Sequence, residues 1–143
     1  MLNMDFSQRV VIEAAKSEWQ PSPAAGIERK LLEREEAERG RATVRINTNT
    51  QRWLPGHGGL QVMPLHSFET EHVALVKWPA GEVFQPHRHY AGEEILVLSG
   101  EFIDEHGRYP KGTWMRSPHA SKHTPHVEQE TIIYVKTGHL PVL

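Results

Sequence analysis

The pattern of apolar and polar positions changes character near residue 59. From there on, short runs rich in β-branched and aromatic residues are punctuated by Gly and Pro. Residues 59–65, 72–78, 94–98, 101–104, 112–116 and 131–136 are the six clearest runs. Pro79-Ala80-Gly81, Ser99-Gly100 and His106-Gly107 supply turn signals between them. Strand-forming residues at a spacing of roughly 8–12 predict an all-β sandwich or barrel. Nothing in the chain reads as a β-α-β alternation.

The first 45 residues admit two readings. Residues 27–39 contain strong helix formers and mixed charges suited to i,i+4 pairs. Their apolar residues are only Ile27, Leu31, Leu32 and Ala37, a thin stripe for a packed helix. The second reading is an internal repeat. Ile12 precedes Trp19 by seven residues, as Ile46 precedes Trp53, and each Trp is followed by a Pro, a Gly (Gly26, Gly59) and a Leu (Leu32, Leu65). Residues 41–45 then take the place of 73–77, so the likeness is ordered over roughly 33 positions, as a repeat would be. The expectation is that residues 1–45 are N-terminal strands resembling the opening of a second unit, 46–143.

A chain of 143 residues and 16.3 kDa supports one ordinary domain. The absence of cysteine excludes disulfides, CxxC redox sites and Cys-ligated zinc or iron–sulfur centres. A formal charge of -2 argues against nucleic acid as a partner. No apolar run approaches the ~20 residues of a membrane span, and no signal peptide opens the chain, so a cytoplasmic protein with no membrane partner is expected. The abnormal number is ten histidines.

Those histidines matter because of their spacing. Gly81, five residues, His87-Arg88-His89, three residues, Glu93, six residues and Gly100 make one segment. Gly112, five residues, Pro118-His119-Ala120, two residues and His123 make another. On a strand, His87 and His89 leave the same face. A turn at Ala91-Gly92 can bring the Glu93 carboxylate back to them, and His123 can arrive from a neighbouring strand. Three imidazoles and one carboxylate form an N3O set that suits Zn(II), Fe(II), Ni(II), Mn(II) or Cu(II). Octahedral metals would retain open positions for water, substrate or O2. Surface histidines falling at these spacings by chance is the bland alternative, and the framing glycines and Pro118 weigh against it.

Both segments resemble the two motifs of the cupins. Residues 81–100 match the first throughout; the second departs at Ala120, where Gly is usual, and at Val127, where Asn is usual. Residues 89–100 and 104–113, with His123-Thr124-Pro125, are more specifically similar to the ChrR-like cupins, and residues 5–11 are similar to two-cupin members of that group. The resemblance implies a double-stranded β-helix, the cupin (RmlC-like) jelly roll, with His87, His89, Glu93 and His123 as ligands of one divalent metal ion per chain. It also explains the half-repeat as the remnant of a first cupin. Residual strands with exposed edges need a partner, so a homodimer is expected.

Other positions are candidates of lower rank. Gln85, Trp114, Arg116 and Tyr134 are candidate pocket residues: Gln85 shares parity with His87, Arg116 could pair with an anionic substrate if it points inward, and Tyr134 could serve as an acid. His57, His66, His72 and His139 read as surface residues, and His106 as a turn residue. His119 and His126 flank His123 and could reach the pocket mouth. Glu94 has the opposite strand parity to Glu93 and reads as solvated or salt-bridged.

Three functions are consistent with this picture. The first is a small non-haem, metal-dependent dioxygenase acting on a diketone or similar oxygen-chelating small molecule, as some similar cupins are. The second is a regulatory or sensing module related to the anti-sigma factor ChrR, whose separate zinc domain is not expected in a sequence without cysteine. The third is a metal-stabilised scaffold without chemistry.

Overall fold

Period-two alternation organises the computed structural model, which describes residues 7–21, 28–29 and 45–142. The strands in chain order are β1 (Val10–Glu13), β2 (Gln20–Pro21), β3 (Glu28–Arg29), β4 (Leu54–Pro55), β5 (Gln61–Phe68), β6 (Glu71–Trp78) and β7 (His87–Arg88). They continue with β8 (Glu93–Ser99), β9 (Glu101–Asp104), β10 (Gly107–Pro110), β11 (Thr113–Ser117), β12 (Lys122–His123) and β13 (Thr131–Thr137). Among the described residues the only helical element is one 3-10 turn, Ala14–Lys16. The fold class is all-β, as the patterning predicts. No helix there is long and apolar enough to cross a membrane.

Seven strands form one antiparallel sheet in the order β1-β11-β8-β13-β6-β5-β4. The ladders β9–β10 and β7–β12 supply the opposing layer, tied together by isolated bridges from His126 to Val83 and Ile103. The core lies between the layers. Ile95, Val97, Met115 and Ile133 from the large sheet meet Phe102, Tyr109 and Val127 from the other side, with Trp78 and Leu60 beside them. Phe102, Ile95, Met115 and Val97 are each 1% exposed, so each contributes about 1.5–3 kcal/mol by leaving water.

All six predicted strands are present, five of them with shifted ends. The run 59–65 starts later and extends to Phe68, with a register shift between Pro64 and His66. Pro64 is tolerated there because β4 pairs only with Gln61 and Val62, which leaves β5 an edge at that point. The pattern did not predict β10, because His106-Gly107 reads as a turn. Gly107 and Pro110 are instead the ends of a hairpin strand, opposite Asp104 and Glu101.

Near the N-terminus, β1 extends the large sheet by pairing with β11, Val10 opposite Arg116 and Ile12 opposite Trp114. β2 and β3 pair with each other. Glu28 and Arg29, inside the helical alternative, are therefore strand. The rest of that alternative, and most of the proposed repeat, lies outside the described residues.

Candidate metal centre

The site is assembled by two local devices. First, β7 and β12 pair so that His123 stands directly opposite His87. His89 is clipped to the same layer by its backbone: its N–H donates to Ser121 O (3.1 Å), and Ala120 N–H donates to its carbonyl (2.9 Å). Second, Ala91 (φ 48) and Gly92 (φ 71) turn the chain into β8 in the left-handed conformation. That pair of positive φ values makes a tight reversal, and a Cβ at Gly92 would collide with Leu140. The turn is held by Ala91 N–H donating to His119 Nδ1 (2.9 Å) and by Gly138 N–H donating to Gly92 O (3.0 Å). Glu93 is thereby delivered, as the first residue of β8, to the imidazoles.

The imidazoles of His87, His89 and His123 each offer a nitrogen, and these lie within 4.8 Å of one another. Glu93 Oε2 lies 3.4 Å from His89 Nε2 and 3.7 Å from His123 Nε2. His87 Nδ1–H donates to Gln85 O at 3.0 Å, which leaves Nε2 as its second nitrogen. His89, Glu93 and His123 are buried and His87 is half-buried.

The electrostatics match a set built to receive positive charge. Burial pushes His89 down to about 3, helped by the neighbouring His123 and His87. Burial also lowers His87, partly opposed by its bond to Gln85 O. Burial raises Glu93 to about 7, although His123 and Arg9 pull the other way. Neutral imidazoles and a reluctant carboxylate are left facing one point. His89 Nε2, Glu93 Oε2 and both ring nitrogens of His123 are buried without a short hydrogen bond. Buried polar atoms are normally paired, so convergent orphans of this chemistry fit a divalent cation.

Behind His123 stands Asp104, which the sequence marked only as the end of a strand. Its side chain is fully buried, and Oδ2 lies 3.4 Å from His123 Nδ1. Oδ2 also accepts from Arg9 Nη2 (3.0 Å), while Oδ1 accepts from Tyr109 OH (2.8 Å) and His106 N–H (2.8 Å). Burial alone would raise Asp104, but His123, Arg9, His106 and Tyr109 together hold it well below the usual carboxylate range. Burial and Asp104 push the Tyr109 phenol up to about 12. An apolar wall completes the surroundings. Phe84 meets His87 edge-on (5.5 Å), Trp78 joins Phe84 (5.1 Å) to Phe102 (5.4 Å), and Phe102 packs on His123 (6.0 Å).

The candidate pocket residues are placed elsewhere. Arg116 pairs with Glu94, while Trp114 and Tyr134 both pair with Leu96. All three therefore lie on the face of the sheet opposite Glu93, Ile95 and Val97, and they do not line the histidine site. Arg116, with no exposed surface, donates from Nε to Glu94 Oε1 (3.1 Å) and lies over Trp114 (5.4 Å). Gln85 is exposed and serves through its carbonyl. Glu94 is salt-bridged, as its parity predicts. His139 is not a surface residue: its side chain is 9% exposed and Nε2 lies 3.0 Å from Glu94 Oε2. His119 pins the Ala91 turn, His126 bridges to Val83 and Ile103 through its backbone, and His57 and His72 are exposed.

Comparison with known proteins agrees with this geometry. The model of the ChrR cupin-like domain matches residues 41–141. Among solved structures, the anti-sigma factor ChrR of Rhodobacter sphaeroides, in complex with SigE, is 28% identical with a TM-score of 0.58. That match covers 64% of this chain and 51% of that one, so the chain spans about half of ChrR's length. An acetylacetone dioxygenase from Acinetobacter johnsonii is 18% identical over 75% of this chain and 80% of its own, with a TM-score of 0.57. An RmlC-like cupin protein from Ralstonia eutropha is 18% identical over 68% and 69%, with a TM-score of 0.61. No curated protein matches the sequence significantly. With the family model spanning most of its length and the jelly roll around a histidine cluster, the chain belongs to the ChrR cupin-like family.

Proposed function

We propose that this protein is a small mononuclear metal enzyme in which His87, His89, Glu93 and His123 hold one divalent ion. Its reaction is of the dioxygenase type, on a diketone or similar oxygen-chelating small molecule. The observation that carries this reading is the convergence of three imidazole nitrogens within 4.8 Å beside the buried Glu93 Oε2. A bound ion would supply Lewis-acid polarisation of ligand oxygens and, as iron, the electrons for O2 chemistry. Zn, Fe, Ni and Mn all accept this donor set.

The chain's own residues supply the rest. Half-buried His87 marks the open side by which a small molecule enters. Phe84, Trp78 and Phe102 keep water from the inner side. Before an ion binds, burial leaves the Glu93 carboxyl partly protonated near neutral pH, and ion binding displaces that proton. Asp104 holds His123. The likeness to the Acinetobacter johnsonii acetylacetone dioxygenase supports the substrate class as a fold-level analogy. The test is anaerobic reconstitution with Fe(II), followed by O2 uptake over a panel of diketones. Metal-dependent uptake with at least one of them is expected. A loaded protein that consumes no O2 with any would overturn the enzymatic reading.

The 28% identity to ChrR favours a second reading, a regulatory cupin that senses a metal or small ligand. Co-elution of the purified chain with a purified SigE-type sigma factor would put it first. The homodimer belongs to the same proposal. β1 and β4 end the large sheet, and light scattering should return twice the chain mass.

A further inference from the structure

The Arg9–Asp104–His123 contacts join an N-terminal segment to the centre of the barrel across 95 positions of sequence. His123 has two ring nitrogens with different neighbours: Nε2 faces Glu93 Oε2 at 3.7 Å and Nδ1 faces Asp104 Oδ2 at 3.4 Å. A carboxylate only accepts, so the proton belongs on Nδ1 and the lone pair of Nε2 is left for the site. Asp104 in turn is held from two sides. Tyr109 OH and His106 N–H fix Oδ1, and Arg9 fixes Oδ2 while also donating to the Tyr109 oxygen at 2.7 Å. Asp104 is fully buried, whereas the Arg9 side chain is 25% exposed. The counter-charge of a buried carboxylate therefore arrives from outside, on the residue that leads into β1.

β1 is attached along one edge. It pairs with β11 over four residues, and Val11 is 43% exposed. Edge strands with little buried surface are where local opening concentrates, and opening of β1 would take Arg9 with it.

We infer that Arg9 and Asp104 are positioning residues for the metal site, so that docking of β1 sets the orientation of His123 and hence the affinity for a divalent cation. The inference rests on the metal-binding reading above. Coupling of this kind is reciprocal: if a docked β1 favours the ion, the bound ion favours a docked β1 by the same factor.

The experiment uses the full chain, with Zn(II) affinity from chelator competition and Co(II) absorption as a report on ligand geometry. Arg9→Gln should weaken Zn(II) binding roughly tenfold to a hundredfold, the range for lost partners of metal-bound histidines, and shift the Co(II) spectrum. Arg9→Lys keeps the charge but not the fork and should recover part of the affinity. Tyr109→Phe, which keeps the ring and removes one bond to Asp104, should move both readouts the same way by less. It carries the test if Arg9→Gln does not fold. In the wild type, Zn(II) should slow amide exchange at residues 10–13; in Arg9→Gln it should not. Wild-type Zn(II) affinity in Arg9→Gln and Tyr109→Phe, or exchange at β1 indifferent to Zn(II), overturns the inference alone. A wild type that takes up neither ion overturns the metal-binding reading and the inference with it.

Discussion

His123 is the most heavily committed side chain of the centre, because each ring nitrogen faces a carboxylate and the ring packs on Phe102. Removing it should cost more than removing a residue that merely orients a ligand, which is worth about tenfold to a hundredfold in affinity. His123→Ala should therefore lose at least a hundredfold in Zn(II) binding. His57→Ala should change it by less than about twofold, since His57 is exposed and meets only the edge of Phe84 among the rings around it. A Zn(II) competition titration of both variants decides the point, and equal retention would defeat the ligand assignment. Residue-level legibility follows the same logic. His87, His89 and Glu93 are close in sequence, so strand parity and one turn suffice to bring them together on paper. Asp104 and Arg9 reach the site by a contact that spans the chain, and no local spacing announces it. A carboxylate at a strand end before a turn was all the sequence offered, and composition could not rank it above seventeen other acids.

At the scale of elements, the turns that deliver the ligands are built with more strain than the family pattern requires. Ala120 stands where Gly is usual, and it keeps the geometry a glycine would take, at φ 62. The departure in sequence is therefore absorbed as strain and not as a different turn. The left-handed conformation costs an L-residue about 1–2 kcal/mol, and glycine gives back about 0.5–1 kcal/mol through its freer unfolded chain. Ala120→Gly should thus stabilise the protein by about 0.5–1 kcal/mol, a rise of about 1–4 °C in Tm. Scanning calorimetry checks this, and a lower Tm would mean that the methyl group is packed usefully despite its exposure. Strands were legible because β-branched runs and turn residues mark them locally. Which face they present was legible only in relative terms. Alternation places Trp114 with Arg116 and opposes Glu94 to Glu93, but the pairing of Arg116 with Glu94 is what sends that whole set away from the histidines. A one-residue difference in register would have reversed the answer.

For the molecule as a whole, the buried ionisable groups make stability depend on pH in two opposed ways. Glu93 sits near 7 in the folded protein against 4.5 when unfolded. The folded form then binds the extra proton, so this contribution is fully present below about 4.5 and is lost as pH rises through 7. His89 sits near 3 against 6.5, so the unfolded form binds the extra proton and stability falls as pH drops from 6.5 toward 3. Between about 4.5 and 6.5 the two slopes oppose each other. Below 4.5 the histidine slope acts without that opposition, at about 1.4 kcal/mol per pH unit for each proton. Asp104, held ionised in the fold, adds to the acid loss. His87, lowered in the same direction as His89, adds to the histidine side, so metal-free protein should lose Tm gently from about pH 6.5 to 4.5 and steeply beneath it. A divalent ion changes this profile, because it requires Glu93 ionised and the imidazoles neutral. At a hundredfold excess over Kd it adds about 2.7 kcal/mol, and that gain should shrink as pH falls below 7. At pH 6 binding should release more protons than at pH 8, because Glu93 still holds one at the lower pH. Calorimetric titration with Zn(II) in two buffers of different ionisation enthalpy counts those protons directly. An equal count at both pH values would remove Glu93 from the ligand set while leaving the three histidines in place.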